Sequence, residues 1–253
     1  MSNRPGRRHR EASEPVWARP SRASRQPRYT REQIAAVALA IADAEGIEAV
    51  SMRRVACALG AGTMTLYHYV PTKHDLLTLM DDAVMGELLI PDAELAPGWR
   101  DALAQIARRS RAAFRRHRWM IGTQLEGDAR VGPNAMRHIE QSLAAVAGTT
   151  LSHEDKMELI SLVDDYVLGF TLRGDSGEEF TDEWIEAVGR YLAEQLLTGD
   201  FPHVREFVGN DDPETVIRRI ATSATADERF ERGLTRLLDG VELWLSRDRP
   251  LET

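Results

Sequence analysis

Between Ser51 and Lys73 the chain reads SMRRVACALGAGTMTLYHYVPTK, and its breakers cut it into two short helices. Gly60 and Gly62 interrupt the run, and Pro71 ends it because the residue before a proline is pushed out of the helical region. Before the glycines, Met52, Val55, Ala56 and Leu59 stand at i, i+3, i+4 and i+7, the spacing of one apolar helical face. After them, Leu66 and Val70 are four apart and can face inward together, which leaves Thr63, Met64, Thr65, Tyr67, His68 and Tyr69 on the other faces. Two short helices joined by a tight turn make a helix-turn-helix, the unit whose second helix lies in the DNA major groove. Hydroxyls, rings and a thioether crowded on so small a helix suit that task, because they can hydrogen-bond base edges or phosphates and press on thymine methyls.

The flanking sequence supplies the other helices such a unit needs. Thr30 followed by Gln33 fits a capping box, Ile34, Val37, Ala38 and Ile41 form one apolar stripe, and Gly46 is a suitable stop. Ser51 is placed to cap the second helix. Thr72 is placed to cap a fourth, whose apolar residues from Leu76 to Leu89 continue to Pro91. This fourth helix, residues 72–90, is long enough to connect a helix-turn-helix domain at 29–75 to a second domain at 91–253.

Charge divides the chain differently. Residues 1–31 carry nine Arg against Glu11 and Glu14, a net +7, while the whole chain is at -8, so the remainder carries -15. Pro5, Pro15, Pro20 and Pro27 prevent a continuous helix in residues 1–28, which read as an extended or disordered basic arm. Within it Arg19, Arg22, Arg25 and Arg28 recur every third residue and stop at the first helix. Regular guanidinium groups on an extended arm suit a narrow, electronegative minor groove. Arg4 to Arg10 lie further away, and the plainer reading of the whole arm is a solubilising tail.

Composition limits the remaining possibilities. At 253 residues and 43% hydrophobic content the chain can bury a sizeable core. No apolar run approaches the roughly 18 residues of a membrane span, and the Arg-rich N-terminus lacks the apolar stretch of a secretory signal, so a cytoplasmic location is expected. Cys57 is the only cysteine, which excludes an internal disulfide and a Cys-based zinc site. Flanked by Ala56 and Ala58, it reads as a small core residue.

Past Pro91 the pattern stays helical: Trp99 to Arg116 with Leu103, Ile106, Ala107 and Phe114 inward, then Trp119 to Leu125, Pro133 to Val146, Glu154 to Arg173, Asp182 to Leu197 and Asp227 to Leu245. No run alternates as a strand does, so the expected fold is all-α. Residues 174–181 and 199–225, rich in Gly, Asp, Pro and Thr, read as mobile loops. Glu154 to Arg173 and Asp227 to Leu245 are apolar on more than one face and need burial on more than one side.

Enzymatic readings fail one by one. Gly174-Asp175-Ser176-Gly177 looks like a serine-protease segment but has no β-barrel to support it. His153-Glu154 opens like a helical zinc motif, yet Met157 stands where its second His belongs. Gly60-x-Gly62 lacks the strand and third Gly of a dinucleotide loop. Seven His without ligand spacing give no metal site, and no cofactor is implied.

Residues 29–90 resemble the DNA-binding domain of the tetracycline-repressor (TetR) family of bacterial regulators. The resemblance rests on T-x-x-Q-I at Thr30, on A-x-x-x-G-I-E-A-x-S-M-R-R-V-A from Ala42, and on L-G-A-G-T-M-T-L-Y-H-Y-V-P-T-K from Leu59. FERGLTRLLDGVE, Phe230 to Glu242, is similar to the closing helix of that family's regulatory domain. The long basic arm departs from many members, though some actinomycete antibiotic-export regulators look similar there. The resemblance implies that Thr63, Met64, Thr65, Tyr67 and Tyr69 face the major groove, that Lys73 contacts a phosphate, and that Arg53 contacts a phosphate or a base. Ser51, Arg54 and His68 are further candidates. For Tyr67 the alternative is a ring packed in the small core with only its hydroxyl exposed.

The same resemblance implies a homodimer closed by a four-helix bundle, two helices from each subunit, and hence an inverted-repeat operator. It also implies a small-molecule effector held between helices of the acidic C-terminal domain. The candidates to line that pocket are Phe114, Trp119, Met120, Gln124, Met136, His138, Asp165 and Phe170, each of which has core packing or solvation as its alternative. An antibiotic controlling an exporter is the effector that analogy suggests. A DNA binder without a small-molecule ligand and an all-helical enzyme using the same cavity are the competing functions.

Overall fold

The computed structural model of the protein describes residues 17, 28–125, 132–174 and 181–247, with the backbone alone at 123–125 and 247. Among the described residues there are helices and no strands, as the periodicity predicts. The chain forms two compact units, Met1–Gly148 and Thr149–Thr253.

The first unit holds α1 (Arg31–Glu45), a single 3-10 turn (Ile47–Ala49), α2 (Met52–Ala58), α3 (Thr63–Tyr69), α4 (Lys73–Leu88), α5 (Trp99–Arg116), α6 (Trp119–Leu125) and α7 (Pro133–Val146). The start of α1 is fixed by a reciprocal cap. Thr30 Oγ1 accepts from the Gln33 amide at 3.2 Å, and Gln33 Oε1 accepts from the Thr30 amide at 2.9 Å. Such a cap contributes about 1 kcal/mol. Ser51 caps α2 and Thr72 caps α4 in the expected way, accepting from Arg54 N at 3.2 Å and Asp75 N at 3.0 Å.

Helix α4 is the spine of this unit. It packs against α1, α5 and α7, and Leu76, Leu79, Met80, Val84 and Leu88 are all but sealed from solvent. Asp75, Asp81 and Asp82 are buried on the same helix, which a carboxylate accepts only with partners. Asp82 finds them at the start of α7. Its Oδ1 accepts from the amides of Asn134 at 2.9 Å and Ala135 at 3.1 Å, and its backbone carbonyl accepts from Asn134 Nδ2 at 3.0 Å. Those amides are among the N–H groups a helix start leaves unpaired, so α4 closes the end of α7 from outside. Desolvation pushes the Asp82 carboxyl above its ordinary range, and the two backbone donors pull it back. Gly132 makes the approach possible: a Cβ there would fall on the Asp82 carboxylate and 2.7 Å from the Trp17 indole nitrogen.

The second unit holds α8 (His153–Gly174), α9 (Asp182–Leu197), α10 (Pro202–Val208), α11 (Pro213–Thr222) and α12 (Ala226–Arg247). Helices α8 and α12 pack together, with Leu159, Ile160, Val163 and Val167 buried on one and Phe230, Leu234, Leu238 and Val241 on the other. Tyr166 donates its hydroxyl to the Phe230 carbonyl at 2.8 Å, and Phe170 packs edge-on to the Phe230 ring with centroids 5.3 Å apart. Both helices keep apolar residues outside this seam, Leu162 and Leu172 on α8 and Leu243 and Trp244 on α12.

Residues 199–225 correct the sequence reading. Instead of a mobile loop they contain α10 and α11, which fold on α9 around a small core of Leu196, Val208 and Val216 with Leu192 against it. Cys57 corrects it as well: the thiol is exposed on α2 instead of packed inside. The other expected loop, 174–181, lies outside the described residues from 175 to 180.

Candidate nucleic-acid interface

The turn between α2 and α3 is built by backbone hydrogen bonds that need a glycine. Ala61 N donates to Ala56 O at 2.9 Å and Gly60 N to Cys57 O at 3.0 Å, closing the end of α2, and Gly60 adopts φ 65° to do so. Helix α3 then starts on Gly62 and is held from one side only, by Leu66 at 1% and Val70 at 0% exposure.

What remains of α3 points away from the core. Met64 is 74% exposed and Tyr67 42% exposed, and Thr65 and His68 are exposed as well. The Tyr67 ring is therefore not the core filler that was its alternative. Thr63 and Tyr69 are half-buried, Tyr69 with its ring edge-on to Tyr29, centroids 6.3 Å apart. An exposed thioether and an exposed phenol on a seven-residue helix are unfavourable in water, and a groove lined with methyls and polar base edges relieves that.

The cationic candidates surround this helix in sequence. Lys73 opens α4 and is exposed, as is Arg53 on α2. Arg54 is also exposed but is drawn to Glu45 of α1, Nη2 to Oε1 at 2.6 Å. Ser51 spends its hydroxyl oxygen on the α2 cap. Arg28 is exposed, its guanidinium 5.5 Å from the centre of the Tyr29 ring. Arg19, Arg22 and Arg25 lie outside the described residues.

The candidates for an effector pocket are divided between the units. In the first, Phe114, Trp119 and Met120 are buried at 8%, 9% and 0% exposure, His138 is buried on α7, and Met136 is 55% exposed. His138 Nδ1 and Ser110 Oγ are buried and without a hydrogen-bond partner among the described residues, and desolvation pushes the imidazole below its ordinary pKa. In the second, Asp165 is exposed and Phe170 is half-buried in the ring cluster with Tyr166 and Phe230. The Gln124 side chain lies outside the described residues. A cleft of about 580 Å³ in the first unit is lined by Leu89, Ile90, Leu95, Arg137, Glu140 and Gln141 among others, and includes none of the predicted residues.

Sequence reasoning missed the joint between α1 and the turn that links α5 to α6. His117 is 3% exposed, its Nδ1 2.8 Å from Asp43 Oδ1 and its Nε2 3.3 Å from Glu87 Oε2. The Trp119 indole donates to the same Asp43 oxygen at 2.9 Å, and Arg116 bonds Glu87 at 2.6 Å. Asp43 carried a signal: an acidic residue in the last turn of a helix opposes the dipole and requires an outside donor.

Comparison with known proteins agrees with this geometry. The family model described as "Bacterial regulatory proteins, tetR family" matches residues 34–80, and that described as "Tetracyclin repressor-like, C-terminal domain" matches residues 91–245. The HTH-type transcriptional repressor DrrR1 of Streptomyces coeruleorubidus is 35% identical over 91% of this chain and 83% of its own. Apo ActR from Streptomyces coelicolor is 28% identical with a TM-score of 0.69, covering 87% of this chain and 97% of that one. ActR in complex with actinorhodin aligns at 27% identity and a TM-score of 0.68, covering 86% and 98%. With both halves matched and the helix-turn-helix in place, the chain belongs to the tetR family of bacterial regulatory proteins.

Proposed function

We propose that this transcriptional repressor occupies an inverted-repeat operator as a homodimer and is released by a small, ring-containing metabolite. The observation that carries the reading is the outward face of α3. Met64, Thr65, Tyr67 and His68 are displayed together while Leu66 and Val70 are buried and Tyr69 meets Tyr29. The apolar residues left outside the α8–α12 seam, Leu162, Leu172, Leu243 and Trp244, suit a second copy packing across them. A two-fold pair then presents two α3 helices to successive major grooves.

The effector part of the reading is supported by the likeness to ActR with actinorhodin bound and by two buried polar atoms without a hydrogen-bond partner among the described residues, Ser110 Oγ on α5 and His138 Nδ1 on α7. A ligand between α5 and α7 acts on α4, because Asp82 ties α4 to α7 and Glu87 pairs with Arg116 of α5. Release by tenfold needs only about 1.4 kcal/mol of preference for the non-binding arrangement. Control of an exporter is the reading that the family resemblance adds.

Footprinting the purified protein on DNA flanking its own gene tests the first part, and repeating it with actinorhodin as a probe tests the second. A protected inverted repeat is expected, opening as the compound is added. Protection of random duplexes to the same extent would overturn the repressor reading, and protection indifferent to actinorhodin and to extracts of the producing cell would leave a DNA binder without an effector.

A further inference from the structure

One aromatic side chain joins three pieces of the DNA-facing surface: the end of α2, the end of α3 and the residue that leads into α1. The Tyr29 hydroxyl donates to the Leu59 carbonyl at 3.0 Å, and Leu59 is the C-cap of α2, where a helix leaves carbonyls without partners. Its ring meets Tyr69, the last residue of α3, edge-on at 6.3 Å and 83°. Its other neighbour is Arg28, with the guanidinium carbon 5.5 Å from the ring centre. Tyr29 is itself half-buried, immediately ahead of the Thr30 cap that starts α1.

We propose that Tyr29 is a positioning residue for DNA readout, holding Arg28 and the root of the basic arm in fixed register with the C-terminal end of α3. The turn and Tyr69 hold the ring and fix its tilt, with the hydroxyl bond to Leu59 a secondary tie, and the ring face carries the guanidinium. A flexible Arg loses several rotamers when it meets a phosphate, and a cation already seated on a ring has lost part of that freedom beforehand. Backbone-directed contact by Arg28 and base reading by α3 thereby act at a constant spacing.

The proposal rests on the DNA-binding reading, and the test separates the two. The full-length protein selects a duplex from a random pool, and affinity for that duplex is measured from about 50 to 300 mM salt for wild type, Arg28→Ala, Tyr29→Phe, Tyr29→Leu and the Arg28→Ala/Tyr29→Leu double variant. Each phosphate contact contributes about 0.9 to the slope of log affinity against log salt. Arg28→Ala and Tyr29→Leu are each expected to lower the slope by about that amount and the double variant by no more, while Tyr29→Phe keeps the wild-type slope. An Arg28→Ala effect of the same size in the wild-type and Tyr29→Leu backgrounds overturns the proposal, as does a slope in Tyr29→Phe as low as that of Arg28→Ala. Circular dichroism confirms folding of each variant, with Tyr29→Met in place of Tyr29→Leu should the latter not fold. Failure of both to fold makes Tyr29 a determinant of the fold and also overturns it. A wild type that enriches no duplex sinks the DNA-binding reading itself, an outcome no variant comparison can produce.

Discussion

His117 Nδ1 lies 2.8 Å from Asp43 Oδ1, across 74 residues of sequence, and brings the turn after α5 onto the last turn of α1. Truncating His117 removes a buried ring together with that contact, and the cavity adds to the lost bond. His117→Ala is expected to lower stability by about 2 to 3 kcal/mol. The denaturant midpoint followed by circular dichroism measures it. A midpoint within error of wild type would show that Trp119 holds Asp43 well enough alone.

The Asp82 clamp gives a second stability test. Asp82→Ala leaves two amides at the start of α7 without their acceptor, at a cost of about 2 kcal/mol or more. Asp82→Asn keeps one acceptor oxygen and is expected to cost less. Thermal unfolding of the pair, with Asn no better than Ala, would refute the clamp.

Acidity should act through His138. Burial lowers its folded-state pKa, so above the unfolded value of about 6.5 the group is neutral in both states and has no effect. As pH falls below that value the unfolded chain binds the proton first and stability is lost. Between pH 7.5 and 5.5 the Tm of wild type should fall more than that of His138→Leu. Parallel pH profiles for the two proteins would remove His138 from the account.

Readers and anchors on the DNA face should separate. Replacing Thr65 or Tyr67, both exposed on α3, is expected to shift base preference by about 1–3 kcal/mol at the positions read. Lys73→Gln should weaken all duplexes alike and lower the salt slope by about 0.9. Selection from a random pool with each variant distinguishes them, and identical effects on every sequence would abolish the distinction.

Charge placed on the exposed apolar stripe of the second unit should separate the subunits. Leu243→Glu together with Trp244→Glu, at positions 54% and 38% exposed in the single chain, is expected to convert a dimer into a monomer by sedimentation and to weaken operator binding at least tenfold. An unchanged sedimentation coefficient would move the interface elsewhere.

Local signals are the most legible part of the sequence. Thr30, Ser51 and Thr72 cap the helices they were expected to cap, and Leu66 and Val70 face inward as their spacing demands. Where one residue carried two meanings the reading failed. Residues 199–225 read as a loop by their Gly, Asp, Pro and Thr content, yet Pro202 and Pro213 each stand in the first turn of a helix, where the missing N–H has no partner to lose. Cys57 reads as a core residue by its small neighbours, although Met52, Val55 and Ala56 already fill the inner face of α2 and turn position 57 outward. The partnership of Asp43 with His117 and Trp119 depends on which helices meet, and one-dimensional periodicity does not hold that information.

That outward thiol has a practical consequence. A spin label or fluorophore attached at Cys57, the only cysteine in the chain, would ride on the helix that precedes α3. In a two-fold assembly each subunit then contributes one probe at equivalent places. Their separation, measured by dipolar spectroscopy or energy transfer, would report how far apart the two reading heads stand with and without a bound compound, with no engineering of the protein at all.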